Sequence, residues 1–270
     1  MVKKNPENTR HLSSLAEFYL KSGNITEAER AFNDILRIEP NNINALLYKA
    51  QYYQMKDDTE NYQKTILSLL SNKELNFDTK ITVIADRFAN NTKVDSSDKS
   101  FLNKIGHILV SQYPDEYRAH QVMGDMHYIS GNYDSASIAY CKSLSMNSTE
   151  YNVWQNLFFS LNMLKKYSEL ADSSKSALEY FPANSIVHYY NGIANAQIEN
   201  LGQAEKSYRR GLRFVGENRL LEAQIYTSLA DLYYKQKRHK EMDESFESSI
   251  RLDPNNAYTL NNYAYYLSQR

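Results

Sequence analysis

Between Thr9 and Pro40 the apolar residues fall at helical spacing twice, with a polar break between the two runs. Leu12, Leu15, Ala16 and Tyr19 stand at i, i+3, i+4 and i+7, which places them on one face of a helix. Gly23, in the context Ser-Gly-Asn, suits the left-handed residue that ends such a helix. Ala28 and Phe32 then begin a second amphipathic stretch, and Pro40 stops it because proline cannot continue the ladder of i to i−4 bonds. The pattern predicts two antiparallel helices that pack through these slots.

The same pattern returns along the chain. Pro114, Pro182 and Pro254 follow Pro40 at intervals of 74, 68 and 72 residues, each close to two repeats of 34. After Pro40, Pro114 and Pro254, the pairs Asn41-Asn42, Asp115-Glu116 and Asn255-Asn256 offer side-chain acceptors for the next helix start. Between them the slots recur as Leu46, Ala50 and Tyr53, then Ile66 and Leu69; and as Ile81, Ile84, Ala85 and Phe88, then Leu102, Ile105 and Leu109. Further on come His120, Met123, Gly124 and His127 with Ala136 and Tyr140, and then Trp154, Leu157, Phe158 and Leu161 with Ala177. His188, Asn191, Gly192 and Asn195 precede Ala204 and Tyr208, and Tyr226, Leu229, Ala230 and Tyr233 precede Met242 and Phe246. A last helix carries Leu260, Tyr263, Ala264 and Leu267. Two insertions interrupt the period: the polar stretch 90–97, expected as a surface loop, and four extra residues near 217–222. Asn191 and Asn195 put amides where apolar groups are expected, so they must find hydrogen bonds or remain partly exposed, and that unit is expected to be looser.

These residues fit the 34-residue pattern W-x2-L-G-x2-Y…A-x3-F…P, and the chain resembles tetratricopeptide repeat proteins of bacterial type over nearly its whole length. The resemblance implies an all-α fold, a right-handed superhelical solenoid of antiparallel helix pairs. The expected organisation is an extension over 1–8 and one solenoid over 9–270, with units at about 9–42, 43–77, 78–116, 117–150, 151–184, 185–222, 223–256 and a partial 257–270. The final helix, Leu260 to Leu267, lacks a partner helix in the sequence. It is expected either to be continued in a longer protein or to give a route to self-association through its uncapped face.

Composition narrows the function classes. Lys plus Arg number 31 against 32 for Asp plus Glu, so no general field exists for nucleic acid or an anionic membrane. One cysteine, Cys141, excludes an internal disulfide framework and leaves the redox compartment open. No run approaches the 18 apolar residues of a spanning helix, and residues 1–10 lack the apolar centre of a signal peptide. The chain reads as soluble, with a cytoplasmic or a periplasmic, envelope-associated setting both open.

Candidate chemistry is sparse. His120 and His127 lie two turns apart on one helix face, with Cys141 on the next helix, but all three histidines at such positions, His188 included, fall in packing slots and lack zinc spacing. Carboxylate pairs such as Asp57-Asp58 and Asp243-Glu244 sit at turns or solvated faces. No catalytic residue, cofactor or metal ligand is assigned, and the chain is expected not to be an enzyme.

The residues one place after the packing slots share the opposite face of each first helix, which in the family lines the concave groove. They are Gln51 and Gln54; Gln121, Asp125 and Tyr128; Gln155, Phe159 and Asn162; Tyr189; Asp231 and Tyr234; and Asn261 and Tyr265. Amides that donate and accept suit an extended peptide backbone, and tyrosines supply contact area at little entropic cost. The lysine and asparagine that family members use to hold acidic C-terminal tails are missing, since Ser13, Glu17, Gln121 and Asp125 stand there. The expectation is a scaffold that binds a protein or peptide segment along the groove. The alternatives are a glycan-binding or envelope-assembly component, whose tyrosines stack on sugar rings, and an accessory segment of a longer enzyme.

Overall fold

The computed structural model describes residues 8–89 and 98–269, and the stretch 90–97 that the sequence marks as a loop lies outside them, as does the side chain of Phe88. The described residues form fifteen α-helices and no strand. They divide into two compact units, with the boundary between Ser130 and Gly131.

The first unit holds α1 (Thr9–Lys21), α2 (Ile25–Ile38), α3 (Ile43–Met55), α4 (Thr59–Ser71), α5 (Phe77–Ala89), α6 (Asp98–Gln112) and α7 (Tyr117–Ile129). The second holds α8 (Tyr133–Met146), α9 (Tyr151–Met163), α10 (Tyr167–Tyr180), α11 (Ser185–Gln197), α12 (Leu201–Phe214), α13 (Arg219–Lys235), α14 (His239–Leu252) and α15 (Ala257–Ser268). In the second unit neighbouring helices pack in sequence, and first helices also touch, as α9 does α11 and α11 does α13; in the first unit α6 packs on α4 as well as on α7.

Local chemistry sets the boundaries. The helices α2, α6, α10 and α14 each end two residues before Pro40, Pro114, Pro182 and Pro254. Of the paired polar residues that follow, the second caps the next helix: Asn42 accepts from the Ala45 N–H at 3.0 Å and Asn256 from the Thr259 N–H at 3.1 Å. Glu116 does the same weakly for Arg118 at 3.3 Å. Gly23 and Gly131 both take φ +74°, as the helix turns require.

A second device appears where the repeat pattern places tryptophan. Trp154 donates its Nε1–H to the Ser148 carbonyl, six residues earlier, at 2.8 Å. His120 and His188 bond through Nε2 to the carbonyls of Pro114 and Pro182, again six residues earlier, at 2.8 and 2.9 Å. A carbonyl only accepts, so Nε2 carries the hydrogen in both rings. Each histidine replaces the indole N–H with its own and ties the start of a first helix to the turn before it. Burial lowers the pKa of His188 from the ordinary histidine value, which keeps the ring neutral at pH 7.

Most slots named from the pattern are buried, among them Leu12, Ala16, Ala28, Phe32, Ala136, Tyr140, Leu157, Phe158 and Phe246. The helix α5 differs. Ala85 is exposed, while Phe77, Lys80, Val83 and Ile84 are buried, so the packing face is rotated from the expected one. The cause lies at the helix start: the Phe77 ring meets Tyr113 edge-on at 5.1 Å under the Arg118 guanidinium, and the Lys80 amine donates to Gln112 beside the Tyr113 ring. The four extra residues near 217–222 fall at the start of α13. Asn218 caps Leu221 at 3.1 Å, and the insertion lengthens α13 to 17 residues.

Candidate functional site

In the second unit the first helices α9, α11 and α13 enclose a hollow of about 190 Å³. Gln155 comes from α9, Ile186, Tyr189 and Tyr190 from α11, and Leu220, Leu221 and Gln224 from the start of α13. Helical spacing explains the first two helices: Gln155 and Tyr189 each follow the residue in the tryptophan slot, so they leave the core as Trp154 and His188 enter it. The Tyr189 ring is held between Tyr190 and Tyr208 at centroid distances of 5.8 and 6.3 Å, and burial raises its hydroxyl pKa above the ordinary value. Leu220 projects beside it with 59% of its surface exposed. Leu220 and Leu221 of the α13 wall were invisible to the repeat pattern, because they come from the insertion that lengthens the helix.

Two more of the expected groove residues are engaged within the protein. The Asp231 carboxylate accepts from Tyr258 Oη at 3.1 Å, Asn262 Nδ2 at 3.2 Å and Tyr266 Oη at 3.1 Å, all on α15. Tyr234 stacks on Tyr266 with centroids 3.8 Å apart. These residues dock α15 on α13 and are thereby withdrawn from an open face. Phe159, also in the expected set, stands edge-on to Tyr133 at 5.8 Å. Gln155 and Asn162 are half-buried on α9, and Asn261 and Tyr265 are exposed on α15.

Burial pushes the Asp231 carboxyl above its ordinary pKa, although the three hydrogen bonds pull the other way. The folded state therefore holds the proton more tightly than the unfolded one. The group favours folding when protonated, below about pH 4, and that contribution is lost as pH rises through the folded-state value. Asp231→Asn keeps one oxygen acceptor and removes the charge. It is expected to raise the melting midpoint at pH 7 by a few degrees, the size that about 1 kcal/mol produces in a chain of this length. Melts at falling pH check it, since the gap between variant and wild type should close toward pH 4.

In the first unit Gln51 and Gln54 are exposed on α3, while Gln121, Asp125 and Tyr128 are half-buried on α7. Among the described residues no group of three His, Cys, Asp or Glu side chains stands together as a metal site. His120 is committed to Pro114, His127 is lowered in pKa by burial and by nearby His107, and Cys141 is exposed on α8. No helix among the described residues is long and apolar enough to cross a membrane.

Comparison with known proteins bears on the fold. The sequence pattern of the tetratricopeptide repeat matches residues 12–42, 117–150 and 223–256. A search of curated proteins finds no match. Among solved structures, the C-terminal part of a TPR repeat-containing protein from Cytophaga hutchinsonii is 18% identical over 92% of this chain and 98% of that one, with a TM-score of 0.60. MamA from Desulfovibrio magneticus RS-1 is 15% identical over 71% of this chain and 97% of that one, with a TM-score of 0.55. At such identities the likeness is one of fold. The chain thus carries tetratricopeptide repeats at three places, and its helix pairs share the fold of tetratricopeptide repeat proteins.

Proposed function

We propose that the chain is a non-catalytic interaction scaffold that holds an extended segment of a partner protein on the first-helix face of α9, α11 and α13. The observation that carries this reading is the hollow between Gln155, Tyr189 and Leu220. Gln155 and Gln224 each offer a donor and an acceptor to a peptide main chain, while Leu220 and Tyr189 form an apolar wall for one side chain. Central aromatics of this kind dominate the energetics of protein interfaces. Gln121, Asp125 and Tyr128 of α7 offer similar chemistry within the first unit, and Gln51 and Gln54 add amides on α3.

A displayed library of linear peptides, selected on the intact chain, tests the reading. Selected peptides are expected to bind Tyr189→Ala and Leu220→Asp at least about tenfold more weakly, the effect of losing roughly 1.4 kcal/mol at a hot spot. Peptides that bind both variants as tightly as the wild type, or a library that enriches nothing, would overturn it.

A further inference from the structure

The repeat core is interrupted once in the second unit. The eighth residue of a second helix is Phe32, Ile66, Ile105, Tyr140, Tyr208 or Phe246, all buried and all large. In α10 it is Ser174. The neighbouring α11 makes the same kind of change twice, with Asn191 and Asn195 in the places that Leu157 and Leu161 fill in α9. Three adjacent core positions thus lose volume and gain polarity together. Asn191 and Asn195 line a pocket of about 400 Å³ between α10, α11 and α12, within the range that small-molecule sites occupy, and Ser174 is bonded to Asn191.

The amides there are not slack. Asn191 donates to Ser174 Oγ at 2.9 Å and accepts from Ser207 Oγ at 2.7 Å, so both flanking helices fix its orientation. Asn195 donates to the Asn191 carbonyl at 2.8 Å and accepts from Asn200 Nδ2 at 3.1 Å. The expected loosening of this unit therefore meets a joined polar network. Asn191, Asn195, Asn200 and Gln203 line the pocket, with Leu178 and Ile198 as an apolar wall. Asn191 is saturated, since its amide also donates to the Ala171 carbonyl at 3.5 Å and its oxygen also accepts from Asn195 Nδ2 at 3.3 Å and Gln203 Nε2 at 3.5 Å. The hydrogen-bonding capacity left for a ligand therefore rests on the second lone pair of Asn195 Oδ1 and on the side-chain carbonyls of Asn200 and Gln203. Charge is balanced, since Asp172 and Lys175 are its ionic lining groups.

We propose that this pocket binds a neutral, hydroxyl-rich molecule of monosaccharide size. Hydroxyls donate and accept at once, as the carboxamides do, and the C–H face of a sugar ring packs on Leu178 and Ile198. The absence of net charge disfavours an anionic or cationic ligand. This site is separate from the hollow on the first-helix face, and neither reading depends on the other.

Saturation-transfer NMR on the intact chain with glucose, galactose, mannose and N-acetylglucosamine tests it. At least one sugar should receive saturation. Asn195→Leu, which restores the residue type that α9 uses, replaces a lining amide with an apolar side chain and should abolish the signal while circular dichroism stays helical. Gln203→Leu, at the half-buried rim, should weaken binding up to about tenfold through the loss of one or two hydrogen bonds, and serves if Asn195→Leu does not fold. Tyr189→Ala should leave sugar binding unchanged. No transfer to any of the four sugars, or a signal that survives both pocket variants, would overturn the proposal.

Discussion

Replacing Trp154 with alanine is expected to destabilise the chain by about 3–5 kcal/mol, the range for removing a buried tryptophan. The indole is 6% exposed, lies against Phe158 with ring centroids 6.0 Å apart, and closes the turn to Ser148 through its N–H. Alanine removes both the packing and the tie, and the midpoint should fall on the order of 10 °C. Trp154→His should lose clearly less. Histidine already fills the equivalent position at 120 and 188 and reaches the same carbonyl. Thermal melts of the two variants decide between the mechanisms: if both lose equally, the bond to Ser148 contributes nothing, and if alanine is neutral, the tryptophan is not a core residue.

Gly192→Ala is expected to destabilise through overpacking, by up to about 3 kcal/mol. A Cβ at this position would stand 2.4 Å from Cδ1 and Cε1 of Tyr208. That ring is 2% exposed and bordered by Tyr189, so it has no room to retreat. The gain in helix propensity from glycine to alanine, about 1 kcal/mol, offsets only part of the clash. Gly106→Ala is the comparison. Its Cβ would meet Met123 Sδ at 2.6 Å, but that atom ends a flexible side chain and can move, although Met123 Cα at 3.1 Å is tight. A double-mutant cycle in denaturant separates the cases: Gly192→Ala should do less harm in a Tyr208→Leu background. Equal loss in both backgrounds would remove the tyrosine from the explanation.

Legibility followed the range of the interaction. The helix pairs, their proline stops and their Asn42 and Asn256 caps depend on residues within a turn or two of one another, so spacing alone exposed them. The rotated face of α5 depends on Tyr113 and Arg118, more than thirty residues away, and no local pattern carries that. Of the expected groove residues, Gln155 and Tyr189 line the hollow in the second unit. At Asp231 and Tyr234 the pattern could not anticipate that α15 would take up the same side chains.

The sequence by itself determined the repeat, the all-α class and the rows of small and large core positions, because periodicity and the chemistry of Gly, Pro and Asn act along the chain. Only the tertiary structure decided which face residues stay open and which are consumed by a neighbouring helix. It also decided that Asn191 and Asn195, two departures on α11, line one pocket, and that Ser174 of α10 meets them through a hydrogen bond from Asn191. Volume and hydrogen-bond partners are properties of what surrounds a side chain in space, and three residues on two helices share that space only once the helices are packed.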